Sequence, residues 1–210
     1  MTGYVGKILR LDLTERRVTE IDTEPYRSWG GGHGLGAALF WDFCKDKTIT
    51  DGRHSANVCC VVTSPLCGTI VPSAGGRCEV VGVGVGQYPV SWFTRTNFGG
   101  RFSTMLKYAG WDGIVIEGKA DSPVWVDIRD GQVIFHAAQN LWGKDTWETE
   151  KLLKNRLGSE KLKILAIGPA GEKECRFGCI ITDRHHAAGR TGMGSVMGSK
   201  NLKAIAALQK

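Results

Sequence analysis

Val124-Trp-Val-Asp-Ile-Arg-Asp-Gly-Gln-Val-Ile-Phe-His136 is the stretch on which the reading of the fold turns. Two short runs rich in β-branched and aromatic residues flank Asp130-Gly131, a pair that accepts the positive φ angles of a tight turn, so the segment reads as a β-hairpin. The same grammar recurs on both sides. Leu9, Leu11 and Leu13 alternate with Arg10 and Asp12, and after the turn-like Thr14-Glu-Arg-Arg17 the chain resumes with Val18-Thr-Glu-Ile21, giving a second hairpin over residues 5–21. Val58–Thr63, Glu79–Val85, Gly113–Gly118, Lys161–Ile167, Cys179–Thr182 and Leu202–Leu208 are further strand-like runs. Helical patterns are fewer. Ala37–Phe43 follows a glycine run, and Phe102, Met105, Leu106 and Ala109 recur at helical spacing before Gly110. Asp145-Thr-Trp-Glu148 opens a third helix with a capping box, to be closed after Leu157 by Gly158. Strands outnumber helices and hairpins are among them, so the fold class is α+β with largely antiparallel sheets. No repeat or linker divides residues 1–210, which read as one domain.

The 210 residues are enough for a sizeable core, and no window approaches the roughly 20 apolar residues of a membrane-spanning helix. The N-terminus lacks the apolar core and cleavage site of a secretory signal, which implies a cytoplasmic protein. Seven cysteines at irregular spacing read as reduced thiols; Cys59 and Cys60, being adjacent in a strand, should face opposite sides. Cys175, Cys179 and the His185-His186 pair can be drawn as a zinc site, although small apolar cysteines are commoner in cores. The net charge of +6 favours an anionic partner: nucleic acid, acidic lipid or a phosphate-bearing cofactor. Its strongest segregation lies in the last third, at Arg184, Arg190, Lys200 and Lys203. A nucleic-acid reader would need stacking aromatics on basic strands, for which Trp125 and Phe135 are the candidates.

Glycine, at 29 residues, is about twice as frequent as the usual share near 7%. It clusters at residues 30–36, 75–77, 99–100 and 189–198. Such clusters turn the chain or let strands approach closely, but they also expose backbone N–H groups to anions, with arginine adding forked donors for phosphate. Arg77 follows Gly75-Gly76, Arg101 follows Gly99-Gly100, and Arg190 follows Gly189. Gly32-His-Gly-Leu-Gly-Ala37 fits G-x-G-x-x-A, yet no buried strand precedes it, so a dinucleotide site is disfavoured. A phosphate loop of the G-x-x-x-x-G-K-[ST] type is absent. No serine or cysteine sits in a nucleophile motif, and His33 and His186 are the histidines placed within glycine-rich segments.

Taken in order, the motifs resemble the N-terminal domain of the tungsten-containing aldehyde ferredoxin oxidoreductases. The resemblance runs through Gly6-Lys-Ile-Leu-Arg-Leu-Asp-Leu-Thr14, Gly30–Gly36, Ser73-Ala-Gly-Gly-Arg77, Asn97-Phe-Gly-Gly100 and Leu106-Lys-Tyr-Ala-Gly-Trp-Asp112. It continues through Ile167-Gly-Pro-Ala-Gly-Glu172, Ala187-Ala-Gly-Arg190 and Gly192–Ala204. It implies two largely antiparallel sheets with a few packed helices, forming the base of a site for tungsten, or molybdenum, between two pterin dithiolenes. It further implies oxidation of aldehydes to carboxylic acids, with electrons passing through a [4Fe–4S] cluster to ferredoxin. By resemblance, Arg77, Asn97, Gly99, Ala187, Gly189 and Arg190 contact the pterins or their phosphates, and Asn97 and the Ala187 carbonyl lie near a bridging Mg²⁺. Gly100, Arg101 and His186 join them as cofactor-binding candidates, and no catalytic residue is assigned.

The family's cluster cysteines, spaced C-x-x-C-x-x-x-C, and its helical substrate domains have no counterpart here, so the chain is expected to be inactive alone and to need an iron–sulfur-bearing partner or C-terminal part. His186 stands where an arginine is usual, and Gly82-Val-Gly-Val-Gly86 replaces a Ser-Pro stretch. A cofactor-free interaction subunit of a related redox complex and a basic nucleic-acid-binding protein are the alternative readings.

Overall fold

Two six-stranded sheets carry the chain. A computed structural model describes residues 3–72 and 75–209, so Met1, Thr2, Lys210 and the Ser73-Ala74 start of one quoted motif lie outside the described residues. The first sheet contains β1 (Lys7–Asp12), β2 (Arg17–Asp22), β3 (Cys59–Val62), β4 (Cys78–Val83), β5 (Phe93–Phe98) and β6 (Gly113–Glu117), in the order β2-β1-β6-β3-β4-β5. The second contains β7 (Val124–Arg129), β8 (Gln132–Ala137), β9 (Lys163–Ile167), β10 (Ile180–Thr182), β11 (His186–Ala188) and β12 (Leu202–Leu208), in the order β11-β10-β9-β12-β7-β8. Each sheet has one parallel pairing, β1 with β6 and β7 with β12; the other pairings are antiparallel, in keeping with the expected class.

The turns form where their chemistry predicts. Asp130 and Gly131 take φ of 50° and 78° between β7 and β8. The helices are α1 (His33–Phe43), α2 (Phe102–Tyr108), α3 (Thr146–Leu157), α4 (Pro169–Glu172) and α5 (Met193–Ser199), with a 3₁₀ turn at Glu24–Trp29. The Asp145 carboxylate accepts from the Glu148 N–H to start α3, and Gly158 ends it at φ 65°.

Strand alternation distributes the apolar residues into three cores. Leu9, Val61 and Ile114 of the first sheet meet Val126, Leu165 and Ile205 of the second in a central core that also takes α2 and α5. Leu35 and Leu39 of α1 cover the outer face of the first sheet at Val62 and Val81. Leu153 of α3 covers the outer face of the second, at Ile164 and Ala204. Cys59 faces the central core and its neighbour Cys60 faces α1, the opposite orientations expected of adjacent strand residues.

Two expectations change. Lys200 and Lys203 are interior and add nothing to a basic surface, being only 2% and 0% exposed. Lys203 donates to the carbonyls of Lys144 and Ile167 and pairs with Glu172. The glycine stretch 189–198 also divides, because its second half is the fully buried α5. A β-carbon on Gly194 or Gly198 would run into the carbonyl oxygens of Cys179 or Gly171, so these glycines serve close packing against β10 and α4.

Lys200 yields a pH prediction. Its Nζ donates to the Gly118 carbonyl at 3.0 Å, and burial lowers its pKa from 10.5 to about 8. Below pH 8 the folded state must hold a charge that its interior disfavours; between about 8 and 10.5 only the unfolded chain still binds that proton. The lysine's contribution to stability therefore rises with pH across this window, by at most about 1.4 kcal/mol per pH unit. Burial raises the thiol pKa of Cys59, to about 12, and also those of Cys60 and Cys78, so these thiols work in the opposite sense above pH 9. Subtraction isolates the lysine. Relative to Lys200→Met, the parent chain should gain stability from pH 8 to 10 in urea titrations; a constant difference would contradict the assignment.

Candidate functional site

β5 and β11 are the outermost strands at one end of each sheet, and they lie side by side. Thr96 Oγ1 on β5 donates to the Gly189 carbonyl at 2.8 Å, just after β11. Val85 and Gly86 donate backbone N–H groups to the Thr191 carbonyl at 3.0 and 3.1 Å. The seam between the sheets opens into a concavity of about 570 Å³. Arg77, Arg95 and Asn97 line it from the β4–β5 side, and Ala187, Gly189 and Arg190 from the β11 side. Five residues singled out in the sequence thus converge from two stretches, 77–97 and 187–190, that lie 90 residues apart. Arg95, Thr96 and Thr191, also in the lining, had no such signal.

The lining is cationic. Arg77 Nη1 donates to Asn97 Oδ1 at 2.7 Å, which orients the amide and leaves its oxygen a second lone pair. Arg95 pairs with Glu79 at 3.3 Å. Arg190 has a left-handed backbone, φ 72°, and its exposed guanidinium has no hydrogen bond or ion pair among the described residues. Thr191 Oγ1 is buried without a hydrogen-bond partner. Three guanidinium groups, one of them paired to Glu79, and an unmet hydroxyl suit a polyanion that accepts several hydrogen bonds.

Gly99, Gly100, Arg101 and His186 stand beside this lining and outside it. Gly100 has φ 91°, and a β-carbon there would lie 2.6 Å from Asp183 Oδ2 and 3.0 Å from His186 Cδ2. One on Gly99 would lie 3.2 Å from His186 Nδ1. These glycines admit the β10–β11 hairpin to the start of α2, where the Arg101 N–H donates to Asp183 Oδ2 at 2.7 Å. An internal carboxylate thus holds the backbone donor read from the sequence as an anion site. The Arg101 side chain is exposed, with no hydrogen bond or ion pair among the described residues.

Burial pushes the Asp183 carboxyl up, but the Arg101 N–H and Lys163, at 3.2 Å, outweigh it and hold the group below its ordinary value of 3.8. The stability this contributes is present above the unfolded value and lost as pH falls through the folded one. Asp183→Asn is expected to cost about 1.5 kcal/mol at neutral pH. The cost should shrink below pH 3.8, as followed by urea titration, and a pH-independent cost would contradict the charge assignment.

The other candidates disperse. The 30–36 cluster packs α1 on the first sheet, a β-carbon on Gly36 meeting Val81 at 2.7 Å, and the His33 ring lies 6.0 Å from that of Phe93. Cys179 Sγ donates to the Phe177 carbonyl, and no group of three or more His, Cys, Asp or Glu side chains among the described residues is disposed to hold a metal ion. Trp125 is wholly buried, which removes it as a base-stacking platform. No helix among the described residues is long and apolar enough to cross a membrane.

Comparison with known proteins shows the family of the chain. The family described as aldehyde ferredoxin oxidoreductase, N-terminal domain, matches residues 8–209. The tungsten-containing aldehyde ferredoxin oxidoreductase of Pyrococcus furiosus is 43% identical over 209 residues, covering 98% of this chain and 33% of the relative. That of Thermococcus kodakarensis is 42% identical with the same coverage. The WOR-like subunit of an aliphatic sulfonate oxidoreductase from P. furiosus is 34% identical over 99% of this chain and 35% of the relative. Among solved structures, the BamBC active-site complex of benzoyl coenzyme A reductase with 1,5-dienoyl-CoA superposes with a TM-score of 0.90. It is 30% identical and covers 99% of this chain and 31% of that one. The chain therefore spans about a third of the length of the relatives it matches.

Proposed function

Because the chain belongs to the aldehyde ferredoxin oxidoreductase N-terminal domain family, we propose that it is the cofactor-base domain of a tungsten, or molybdenum, bis-pterin oxidoreductase acting on aldehydes. One observation carries the reading: Arg77, Asn97, Ala187, Gly189 and Arg190 meet in one cationic concavity between two sheet edges. The donor set fits the group. Arg77 and Arg190 would hold the pterin phosphates, with Thr191 Oγ1 turning its unmet hydroxyl towards them. Gly99, Gly100, Arg101 and His186 would form the adjoining wall. The Asn97 amide oxygen and the Ala187 carbonyl are hard oxygen donors of the kind Mg²⁺ takes between phosphates. When bound, the metal–pterin centre supplies the two-electron change that turns an aldehyde and water into a carboxylic acid. The protein's part here is to fix the pterins by their phosphates and to wall one side of the cofactor from water.

The metal in this reading is held by pterin sulfurs, so this chain need supply no ligand. Cys44, Cys59, Cys60 and Cys78 are buried thiols within the cores and Cys67 is a buried thiol that donates to the Gly75 carbonyl, so all five are unsuited as cluster ligands. The [4Fe–4S] cluster, the substrate pocket and the surface that meets ferredoxin would lie on the two thirds of the enzyme outside this sequence, and this domain alone should not turn over aldehyde. The fold's likeness to a benzoyl coenzyme A reductase complex supports a division of labour, in which this domain sets the cofactor and the remainder sets the substrate.

The reading is tested by anaerobic co-expression with the coding region for the remaining two thirds in the presence of tungstate. The expected product carries about one metal and two pterins per assembly. An active assembly free of tungsten, molybdenum and pterin would instead favour the cofactor-free subunit.

A further inference from the structure

Remote from the concavity, the 3₁₀ turn and α1 enclose an open groove of about 460 Å³. Pro25, Tyr26, Trp29, Ala37, Trp41 and Asp42 line it. Trp29 and Trp41 are 58% and 66% exposed, an unusual amount of indole to leave in water at one place. Ala37 and Trp41, four apart, share a helix face, and both line the groove. Asp42 stands at the rim. Its Oδ2 accepts from the Tyr26 hydroxyl at 2.8 Å, and no cation pairs with it among the described residues. Burial and that carboxylate push the Tyr26 hydroxyl up to about 12, so it remains a donor to Asp42 at neutral pH. Aromatic faces beside an uncompensated carboxylate are complementary to an organic cation. Trp41 already attracts one: Lys47 Nζ lies 5.0 Å from its ring centroid, and Lys47 is not part of the groove lining.

We infer that this groove binds an extended segment of a partner protein that presents an arginine or lysine between the indoles and Asp42. A lone guanidinium or ammonium group would fill only part of the space. The apolar remainder, between Pro25 and Trp29, suits proline-rich neighbours, whose extended form loses little entropy on docking into an aromatic-lined groove. The groove lies between the 3₁₀ turn and α1 with no strand residue in its lining, whereas the cofactor concavity is at the β5–β11 seam. It stands independently of the cofactor reading.

The test is a titration of the ¹⁵N-tryptophan-labelled chain with an acetylated, amidated Pro-Pro-Arg-Pro-Pro peptide, with its glutamine counterpart, and with free arginine amide. The indole N–H signals of Trp29 and Trp41, assigned through Trp29→Phe and Trp41→Phe, should shift with the arginine peptide. That of Trp147, whose Nε1 donates to the Arg184 carbonyl, should stay fixed and report an intact fold. The glutamine peptide, and the arginine peptide on Asp42→Asn, should each bind about tenfold more weakly. Arginine amide should also bind more weakly than the peptide. No shift with the arginine peptide, or equal binding of the glutamine peptide, would overturn the cationic site; equal binding of arginine amide would overturn the peptide segment as its occupant.

Discussion

Arg77→Ala and Arg190→Ala, each introduced into the assembled enzyme, are expected to strip it of most of its pterin and metal while leaving its fold intact. Both side chains are exposed on the lining of the seam. Neither belongs to a core, so their loss opens no cavity. On the proposed reading each would supply a charge-assisted contact to phosphate worth about 1.5–3 kcal/mol, or roughly tenfold to more than a hundredfold in affinity per residue. Arg190 should cost more. Its guanidinium is free for the ligand, whereas Arg77 already spends one donor on Asn97 Oδ1. The double substitution should fall short of the sum if, as proposed, both residues serve the same charged group. Arg184→Ala supplies the control: Arg184 lies over the Trp147 ring at 5.7 Å, outside the lining, and its removal should leave metal content unchanged. Elemental analysis and pterin fluorescence on the purified assemblies read all four variants.

Asp112→Ala should cost about 3–5 kcal/mol of stability, the usual penalty for leaving half of a buried ion pair. Asp112 is 1% exposed and accepts from the Val5 N–H at 2.9 Å, the Gly6 N–H at 2.8 Å, Thr23 Oγ1 at 2.8 Å and Lys107 Nζ at 3.0 Å. It thereby ties the entry to β1, the end of β2 and the α2–β6 connection into one knot. Removing it leaves a buried ammonium with only the Gly3 and Ser64 carbonyls and no counter-charge, and deprives three further donors of their acceptor. Lys107→Met in the Asp112→Ala background should recover part of the loss, because the uncompensated charge goes with it. Urea unfolding of both variants distinguishes this from a loss of packing alone, for which the second substitution would only add to the damage.

That knot gives physical content to Leu106–Asp112, a motif that carried the family resemblance without an evident reason. Other parts were legible for plain causes. The hairpin at Asp130-Gly131, the capped α3 and the opposed Cys59 and Cys60 follow from rules acting over a few residues. β5 and β11 escaped, and they are the strands that frame the site. Phe93-Thr-Arg-Thr-Asn-Phe98 and His186-Ala-Ala188 lack an alternating apolar face because edge strands bordering a polar concavity have little to bury on that side. α5 escaped because Met193-Gly-Ser-Val-Met-Gly-Ser199 is poor in helix formers and is held instead by burial on every side. The glycine excess was legible as a signal, yet it mixes two causes. At Gly189 it borders the concavity, while at Gly36, Gly194 and Gly198 it lets backbones and helices approach. Spacing alone cannot separate these, because both need the same missing β-carbon. Nor could it show that Asp183 takes the Arg101 N–H, since that contact spans 82 residues.

The central claim is that the seam between β5 and β11 holds the phosphates of a pterin cofactor. A structure of the anaerobically assembled, metal-loaded complex tests it most directly. The claim predicts phosphate density within hydrogen-bond reach of Arg190 and Arg77, with a magnesium-sized peak between Asn97 Oδ1 and the Ala187 carbonyl. Pterin phosphates bound elsewhere, with this seam filled by water or by another part of the protein, would contradict it.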